Sequence, residues 1–388
     1  MEFSRLLAPL PNGAAVNIPP PRPVLDPATA RLWRDFKHTK PLLGCRFDPS
    51  GRFLFATSED DSVQRFDLLT GARTALAGHS SWARGLAFVC AAPPAPLPDW
   101  SGQQKALAAT VGFGAAFAPG PKPHPFALVS ADYHGKLIWW QGDEANPKPL
   151  RTVQAHDGWA RAVAVSPDGT TVASCGNDHF VKLWKATDGT AVATLEGHTS
   201  HVYNIAFSPD GTRLVSCDLR GTVKDWNLKT QKCERDIDAK VLHKYDPSFM
   251  ADIGGARGIA FKSDGSAVAL CGITNVSNAF AGVGNPAVVL IDWKKGSAAL
   301  LKTKEAFQGT AWGVAFHPHG GIVCAGGAGQ GRVWFWKGDD PVSAFTLNVP
   351  TNCRDLALNA DGSRFAVAGA NGTALVYDFS GTGTPAKK

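Results

Sequence analysis

The sequence has few of the features that mark disulfide-linked, metal-binding and membrane proteins. Only 2 of the 388 residues are methionine, and the 8 cysteines include no CxxC pair. Cys175, Cys217 and Cys271 lie singly in short apolar runs, so we interpret them as buried core residues of a reducing compartment. No apolar run reaches the about 18 residues that cross a bilayer, and Met1–Val16 is typical of neither a signal peptide nor a membrane span. We therefore expect a cytoplasmic protein that makes no membrane contact.

Concentrated charge and catalytic motifs are missing as well. The formal net charge of +6 is spread along the chain without a Lys/Arg block, so nucleic acid is not expected as the main ligand. His-Glu-x-x-His, Walker and Gly-x-Ser-x-Gly motifs do not occur. Gly112-Phe113-Gly114 has Phe117 where a dinucleotide loop needs its third glycine, and a hairpin turn explains His317-Pro318-His319 better than a metal site does. We predict no catalytic residue, cofactor or metal.

A recurring tight turn is the strongest feature that is present. Gly 41 and Pro 27 are both plentiful, and Ser-Pro-Asp-Gly ends at Gly169 and again at Gly211. Variants of the same turn end at Gly51, Gly265, Gly320 and Gly362. Proline presets φ at the second turn position and glycine accepts the positive φ that follows. Because short apolar runs flank each turn, the pattern predicts six β-hairpins.

An aromatic residue ends the strand that follows each hairpin. These residues are Phe66, Trp140, Trp184, Trp226, Trp293, Trp336 and Tyr377, at steps of 74, 44, 42, 67, 43 and 41 residues. Four of the six steps match the period of about 40–45 residues of a four-stranded propeller blade. The two long steps contain insertions, near 90–125 in blade two and near 273–286 in blade five, where a lead-in at 241–255 also precedes the blade. Seven aromatic positions predict seven blades.

The chain resembles the WD-repeat (WD40) family over roughly Leu32–Phe379. Gly78-His79 and Gly197-His198 look like the family's Gly-His dipeptide, and Ala155-His156 is a variant of it. The resemblance implies an all-β fold, a single seven-bladed β-propeller of four-stranded antiparallel blades.

The resemblance also implies a buried His–Asp–Ser–Trp network within a blade. Only blade three matches it in full, with His156, Asp178, Ser174 and Trp184. His134 in blade two and Arg220 in blade four occupy the position of the aspartate. The Trp-Asp dipeptide of the family does not occur.

Strand counting predicts how the ring closes. After Tyr377-Asp378-Phe379 the chain has only a short Gly/Thr/Pro/Lys tail, so the last blade lacks an outer strand. The segment Arg31–Phe36 has no hairpin partner of its own, and we expect it to complete blade seven and protect the exposed edge. The predicted organisation is a Pro-rich segment at 1–30, a propeller at 31–380 and a flexible tail at 381–388. We interpret the first segment as a disordered leader, with an extended arm on the propeller as the alternative.

Arginine recurs at one position of the inner strands. The aligned residues are Arg84, Arg161, Arg257 and Arg354 in four blades, with Tyr203, Trp312 and Leu43 in the others. In WD-repeat propellers the inner strand runs down from the Gly-His face and lines the channel, so the resemblance places this position at the upper mouth. Together with Trp82 and Trp159, the arginines and the aromatic pair Tyr203 and Trp312 form the predicted partner-binding set on the top face.

Two interpretations of these arginines stay open. Like charges held together need a counter-charge, and arginine suits bidentate contacts to carboxylate or phosphate, so an acidic peptide segment of a partner is one candidate. Alternatively, the arginines pair internally with Asp60, Asp132, Asp218 or Asp355, or point into a water-filled channel.

The predicted function is a non-catalytic protein-interaction scaffold, a monomeric propeller within a larger complex. The alternative is a propeller enzyme or a small-anion-binding protein whose site at the channel mouth combines the arginines with His134, His179 or His201.

Overall fold

The computed structural model describes residues 25–89, 127–278 and 283–379. Within them the chain folds as a seven-bladed β-propeller of four-stranded antiparallel sheets. The inner strands of neighbouring blades contact each other in a closed ring. The prediction of fold class is confirmed. The predicted insertion at 90–125 lies outside the described residues, as do 1–24 and 380–388, so the domain limits stay predictions.

The first four blades follow one another in chain order, each from its inner to its outer strand. Blade one contains β2 (Leu42–Phe47), β3 (Phe53–Ser58), β4 (Ser62–Asp67) and β5 (Arg73–Ala77). Blade two contains β6 (Ala83–Val89), β7 (Ala127–Asp132), β8 (Lys136–Gln141) and β9 (Pro149–Gln154). Blade three contains β10 (Ala160–Val165), β11 (Thr171–Gly176), β12 (Val181–Lys185) and β13 (Ala191–Leu195). Blade four contains β14 (Val202–Phe207), β15 (Arg213–Asp218), β16 (Thr222–Asn227) and β17 (Lys232–Asp238).

The remaining blades follow an extra hairpin of β18 (His243–Asp246) and β19 (Ala251–Gly254). Blade five contains β20 (Gly258–Phe261), β21 (Ala267–Asn278), β22 (Val283–Asp292) and β23 (Ser297–Lys302). Blade six contains β24 (Thr310–Phe316), β25 (Ile322–Ala328), β26 (Gln330–Trp336) and β27 (Phe345–Val349). Blade seven contains β28 (Cys353–Leu358), β29 (Arg364–Gly369), β30 (Thr373–Asp378) and β1 (Arg31–Lys37). Two 3-10 turns, Pro27–Thr29 and Lys240–Leu242, are the only helical segments among the described residues.

The repeated turns form as their sequences predict. Gly169 and Gly211 have φ of 71° and 69°, a region that glycine enters without a Cβ clash. The Gly169 N–H donates to the Ser166 carbonyl at 2.8 Å, and the Ser166 hydroxyl donates to the Asp168 carboxylate. Each of these turns joins an inner strand to the second strand of its blade.

Most of the core lies between the blades. One cluster, for example, joins Ala173 and Cys175 of blade three to Ile205 and Trp226 of blade four. The described cysteines are free, and all except Cys233 are buried. Burial raises the pKa of the Cys175 thiol well above its ordinary value, so the thiol stays protonated and acts as a small apolar side chain.

The ring closes through β1. This strand pairs antiparallel with β30 in a register that joins Arg31 to Asp378 and Lys37 to Thr373. Phe36 is buried and stacks on Phe66 of blade one with the ring centroids 4.9 Å apart. The predicted closure is confirmed.

Blade five differs from the sequence prediction in two details. The position that aligns with Trp184 is Ile291, since Ile291 pairs with Val268 as Trp184 pairs with Val172. Trp293 lies just past the end of β22. Residues 273–278 and 283–286 lengthen β21 and β22, which pair antiparallel, and the 241–255 lead-in contains the β18–β19 hairpin.

Candidate functional site

Three blades contain a buried polar network, whereas the sequence predicted a complete network only in blade three. In blade three, His156 Nδ1 lies 2.8 Å from Asp178 Oδ1 and Nε2 lies 2.7 Å from Ser174 Oγ. The indole N–H of Trp184 donates to the same hydroxyl at 2.9 Å. Equivalent networks join His79, Asp132, Ser130 and Trp140 in blade two and His198, Asp218, Ser216 and Trp226 in blade four.

The assignment of the aspartate position in blades two and four was wrong. Asp132 and Asp218 lie two residues after their serines, whereas Asp178 lies four after Ser174. The residues assigned from sequence lie elsewhere, with His134 against the hydroxyl of Ser80 and Arg220 paired to Asp252. Ser-x-Asp in both strands was the signal that could have located these networks.

Burial and hydrogen bonding set the charges in the blade-three network. Burial lowers the pKa of His156, which keeps the imidazole neutral. Burial raises the pKa of Asp178, but hydrogen bonds from His156 and Lys182 outweigh it and bring the pKa to about 2. The networks therefore fix the blades on which the top face is built.

The four aligned arginines meet in one place. Arg84, Arg161, Arg257 and Arg354, here called the arginine ring, line a central cavity of about 1030 Å³. The same cavity is lined by Trp82, Tyr133, Trp159, Tyr203 and Trp312. The structure therefore brings the whole predicted partner-binding set together. Sequence reasoning missed Tyr133 and Glu59, which also line the cavity and lie in loops after β7 and β3.

Guanidinium groups and aromatic rings alternate around the cavity mouth. The guanidinium carbon of Arg161 lies 4.4 Å from the ring centroid of Trp159 and 4.2 Å from that of Tyr203. That of Arg257 lies 4.6 Å from Tyr203 and 5.1 Å from Trp312. Arg354 continues the series at 5.0 Å from Trp312. Cation–π stacking therefore holds the planes of these guanidinium groups against the aromatic rings. Their N–H groups, which lie in those planes, remain as the hydrogen-bond donors.

The four aspartates proposed as internal partners of the arginines pair with other residues, so the predicted pairing was wrong. They pair as follows: Asp60 with His38, Asp132 with His79, Asp218 with His198 and Asp355 with Arg46. The contacts of the arginine ring are instead with neutral groups. Arg84 donates to the Leu43 carbonyl, and Arg161 donates from Nε to Asn177 at 2.8 Å.

The mouth consequently carries excess positive charge. Burial lowers the pKa of Arg161 and of Arg354, and the nearby charge of Arg257 lowers both further. Glu59 is the nearby carboxylate that acts in the opposite direction on Arg354. The guanidinium groups are thus partly desolvated and lie among like charges in one cavity, which favours an anionic ligand.

The histidines proposed for a catalytic alternative lie outside the cavity lining. His179 and His201 contact each other with ring centroids 5.5 Å apart. Burial lowers the pKa of His201, and the charge of Arg161 adds to the effect. In the part of the chain that the structure describes, no group of three His, Cys, Asp or Glu side chains could hold a metal ion. The described helical segments include none that could span a membrane.

Comparisons with known proteins identify the repeats. Residues 31–67, 147–185 and 189–227 match the model of the WD40 family, described as WD domain, G-beta repeat. Three relatives share part of the sequence. Ribosome assembly protein 4 of Chaetomium thermophilum is 39% identical over 62 residues, which are 16% of this chain and 12% of that protein.

The other two relatives match over similar lengths. Small ribosomal subunit protein RACK1y of Oryza sativa subsp. japonica is 36% identical over 69 residues, 18% of this chain and 20% of that protein. Eukaryotic translation initiation factor 3 subunit I of Scheffersomyces stipitis is 39% identical over 93 residues, 23% of this chain and 26% of that protein. The chain thus matches 12–26% of the length of these three relatives.

Proposed function

We propose that this chain, a seven-bladed β-propeller that carries WD40 repeats, is a non-catalytic scaffold that binds an acidic segment of a partner protein at the arginine ring. The single observation that carries the proposal is the arginine ring itself. Four guanidinium groups line one cavity mouth, and the nearby aspartates are paired with other residues. A partner's carboxylates would supply the missing counter-charge to these guanidinium groups.

The stacked geometry favours an acidic peptide over nucleobases. Single-stranded nucleic acid binds through aromatic rings with a free face on which a base stacks. Here Trp159 stacks between Tyr133 and Arg161, and Tyr203 stacks between Arg161 and Arg257. The fixed guanidinium groups lose little conformational freedom when they bind, which is an advantage for recognising carboxylates.

The names of the relatives support a role within a protein complex. A ribosome assembly protein, a small ribosomal subunit protein and a translation initiation factor subunit each share part of this sequence. We infer that this chain acts in the cytoplasm as one propeller of a larger assembly.

The alternative of an enzyme or a small-anion site has weaker support. It requires an acid–base group beside the arginines. Glu59 and Asp355 line the cavity, but Asp355 is paired with Arg46 and none of the proposed histidines is in the lining, so Glu59 is the one candidate acid–base group among the described residues of the lining.

Fluorescence anisotropy with a labelled seven-residue polyglutamate peptide tests the proposal, with polyglutamine as the uncharged comparison. The wild type should bind polyglutamate, and the Arg161→Ala/Arg257→Ala variant should bind at least tenfold more weakly. The control variant Arg73→Ala/Arg151→Ala loses the same charge from exposed outer strands and should bind like the wild type. Equal losses in both variants would mean that net charge acts alone, and undiminished binding by the ring variant would refute the proposal.

A further inference from the structure

The cavity mouth has two chemically different sides. Blades five to seven contribute Arg257, Trp312 and Arg354, whereas blades two and three contribute Trp82, Tyr133 and Trp159 together with Arg84 and Arg161. Blade four separates the two sets in one direction around the ring, and blade one separates them in the other. A ligand that spans the mouth therefore meets two arginines on each side and a cluster of three aromatic rings on the side of blades two and three.

The arginines of blades five and seven keep hydrogen-bonding capacity that the described chain does not use. The Nε atoms of Arg257 and Arg354 are buried and have no acceptor among the described residues. Arg84 and Arg161, in contrast, donate to Leu43 and Asn177. A buried donor without an acceptor is costly, so an anion is stabilised most at the Arg257–Arg354 side.

The side of blades two and three is an exposed aromatic surface. Trp82 is 44% exposed and Trp159 is 39% exposed, whereas most tryptophans of the described chain are buried. The rings of Tyr133 and Trp159 are parallel within 1° with their centroids 4.0 Å apart, and Trp82 lies 6.0 Å from Tyr133. The Tyr133 backbone N–H donates to the Trp82 carbonyl at 3.1 Å. The three rings therefore form a pre-ordered apolar surface of the kind that anchors a partner's side chain.

We propose that the arginine ring recognises a bipartite peptide motif, in which an acidic side chain binds at Arg257 and Arg354 and a nearby aromatic or aliphatic side chain packs on Trp82 and against the exposed edge of Trp159. The inference rests on the proposed function and adds its specificity. Carboxylate supplies the acceptors that the two arginines lack, and the apolar side chain covers tryptophan surface that water otherwise contacts. Arg161 lies between the two sides because its guanidinium stacks on Trp159 and Tyr203.

The probes are capped nine-residue Gly/Ser peptides that contain one Glu and one Phe, separated by two to five residues. Matched peptides replace Glu by Gln or Phe by Gly. With the wild type, the best Glu/Phe peptide should bind at least tenfold more tightly than either matched peptide in fluorescence anisotropy. Equal binding by the Phe→Gly peptide would refute the bipartite motif and leave the proposed function standing. The absence of binding by every peptide, polyglutamate included, would refute both.

Two variants assign each half of the motif to its side of the mouth. Arg257→Lys/Arg354→Lys keeps the charge and removes the planar donors, so it should reduce the Glu/Gln discrimination to below threefold and preserve the Phe/Gly discrimination. Trp82→Ala should have the opposite effect. Folding of both variants is checked by circular dichroism and thermal unfolding. Should either variant reduce both discriminations equally, the assignment of two sides is wrong.

Discussion

The hydroxyl of Ser216 connects two buried groups in blade four, and its removal should be costly. Ser216 is fully buried, its Oγ lies 2.7 Å from His198 Nε2, and it accepts from Trp226 Nε1 at 2.7 Å. Ser216→Ala leaves the imidazole nitrogen and the indole N–H without partners. Each unpaired buried group costs about 1–3 kcal/mol, so the free energy of unfolding should fall by about 2–6 kcal/mol. Equilibrium urea unfolding followed by circular dichroism measures this change.

A double-mutant cycle separates the lost hydrogen bonds from other effects of the substitution. Trp226→Phe removes the indole donor, so it should cost less in the Ser216→Ala background than in the wild type. The expected coupling is about 1–2 kcal/mol. Ser277→Ala at an exposed serine is the control and should stay within about 0.5 kcal/mol of the wild type. Zero coupling, or a Ser216→Ala variant as stable as the control, would refute the network argument.

Three further outcomes follow from closure, charge and burial. Phe36→Ala should lower the free energy of unfolding by about 3–5 kcal/mol, because Phe36 is buried against Phe66 at the closure; urea unfolding measures it. Glu59→Gln should tighten polyglutamate binding about fivefold, since about 1 kcal/mol of repulsion at the mouth is removed; anisotropy at low salt measures it. Stability should fall as the pH drops from 7 to 5, because the lowered pKa of His156 leaves the unfolded state to take up the proton at about pH 6.5. Asp178, with a pKa of about 2, should add its loss only below about pH 4.

For each of these predictions, a control variant or a specific result would contradict the reasoning. Lys37→Ala, on the exposed face of the same strand, should leave the stability nearly unchanged, and an equal loss would contradict the burial argument for closure. A Glu59→Gln variant with unchanged affinity would place Glu59 too far from the ligand to matter. His156→Gln cannot titrate, so the slope of stability between pH 7 and pH 5 should flatten; an unchanged slope would assign the titration to other groups.

The sequence was sufficient for the architecture because its signals are local and repeated. Turn chemistry located the hairpins, as at Gly169 and Gly211, and the aromatic spacing counted the blades even though Trp293 is displaced by two residues from the shared position. The segment that contains Phe36 has no hairpin partner of its own, and blade seven lacks an outer strand. Pairing the two protects an otherwise exposed strand edge, so the sequence predicted the closure. Register along the inner strands also placed the four arginines at one level.

Contacts between segments far apart in sequence were decided only by the tertiary structure. The number of residues between the serine and the aspartate of a network differs between blades. The spacing of blade three therefore did not locate Asp132 and Asp218 in blades two and four. The sequence could not choose between internal pairing and a free arginine ring, because the competing partners of each aspartate lie on other strands. Only the packing of blade four against blade three sets Arg161 between Trp159 and Tyr203, and the packing of blade two against blade three brings Tyr133 onto Trp159. Side-chain stacking across blades is a property of the assembled ring, and no single repeat contains it.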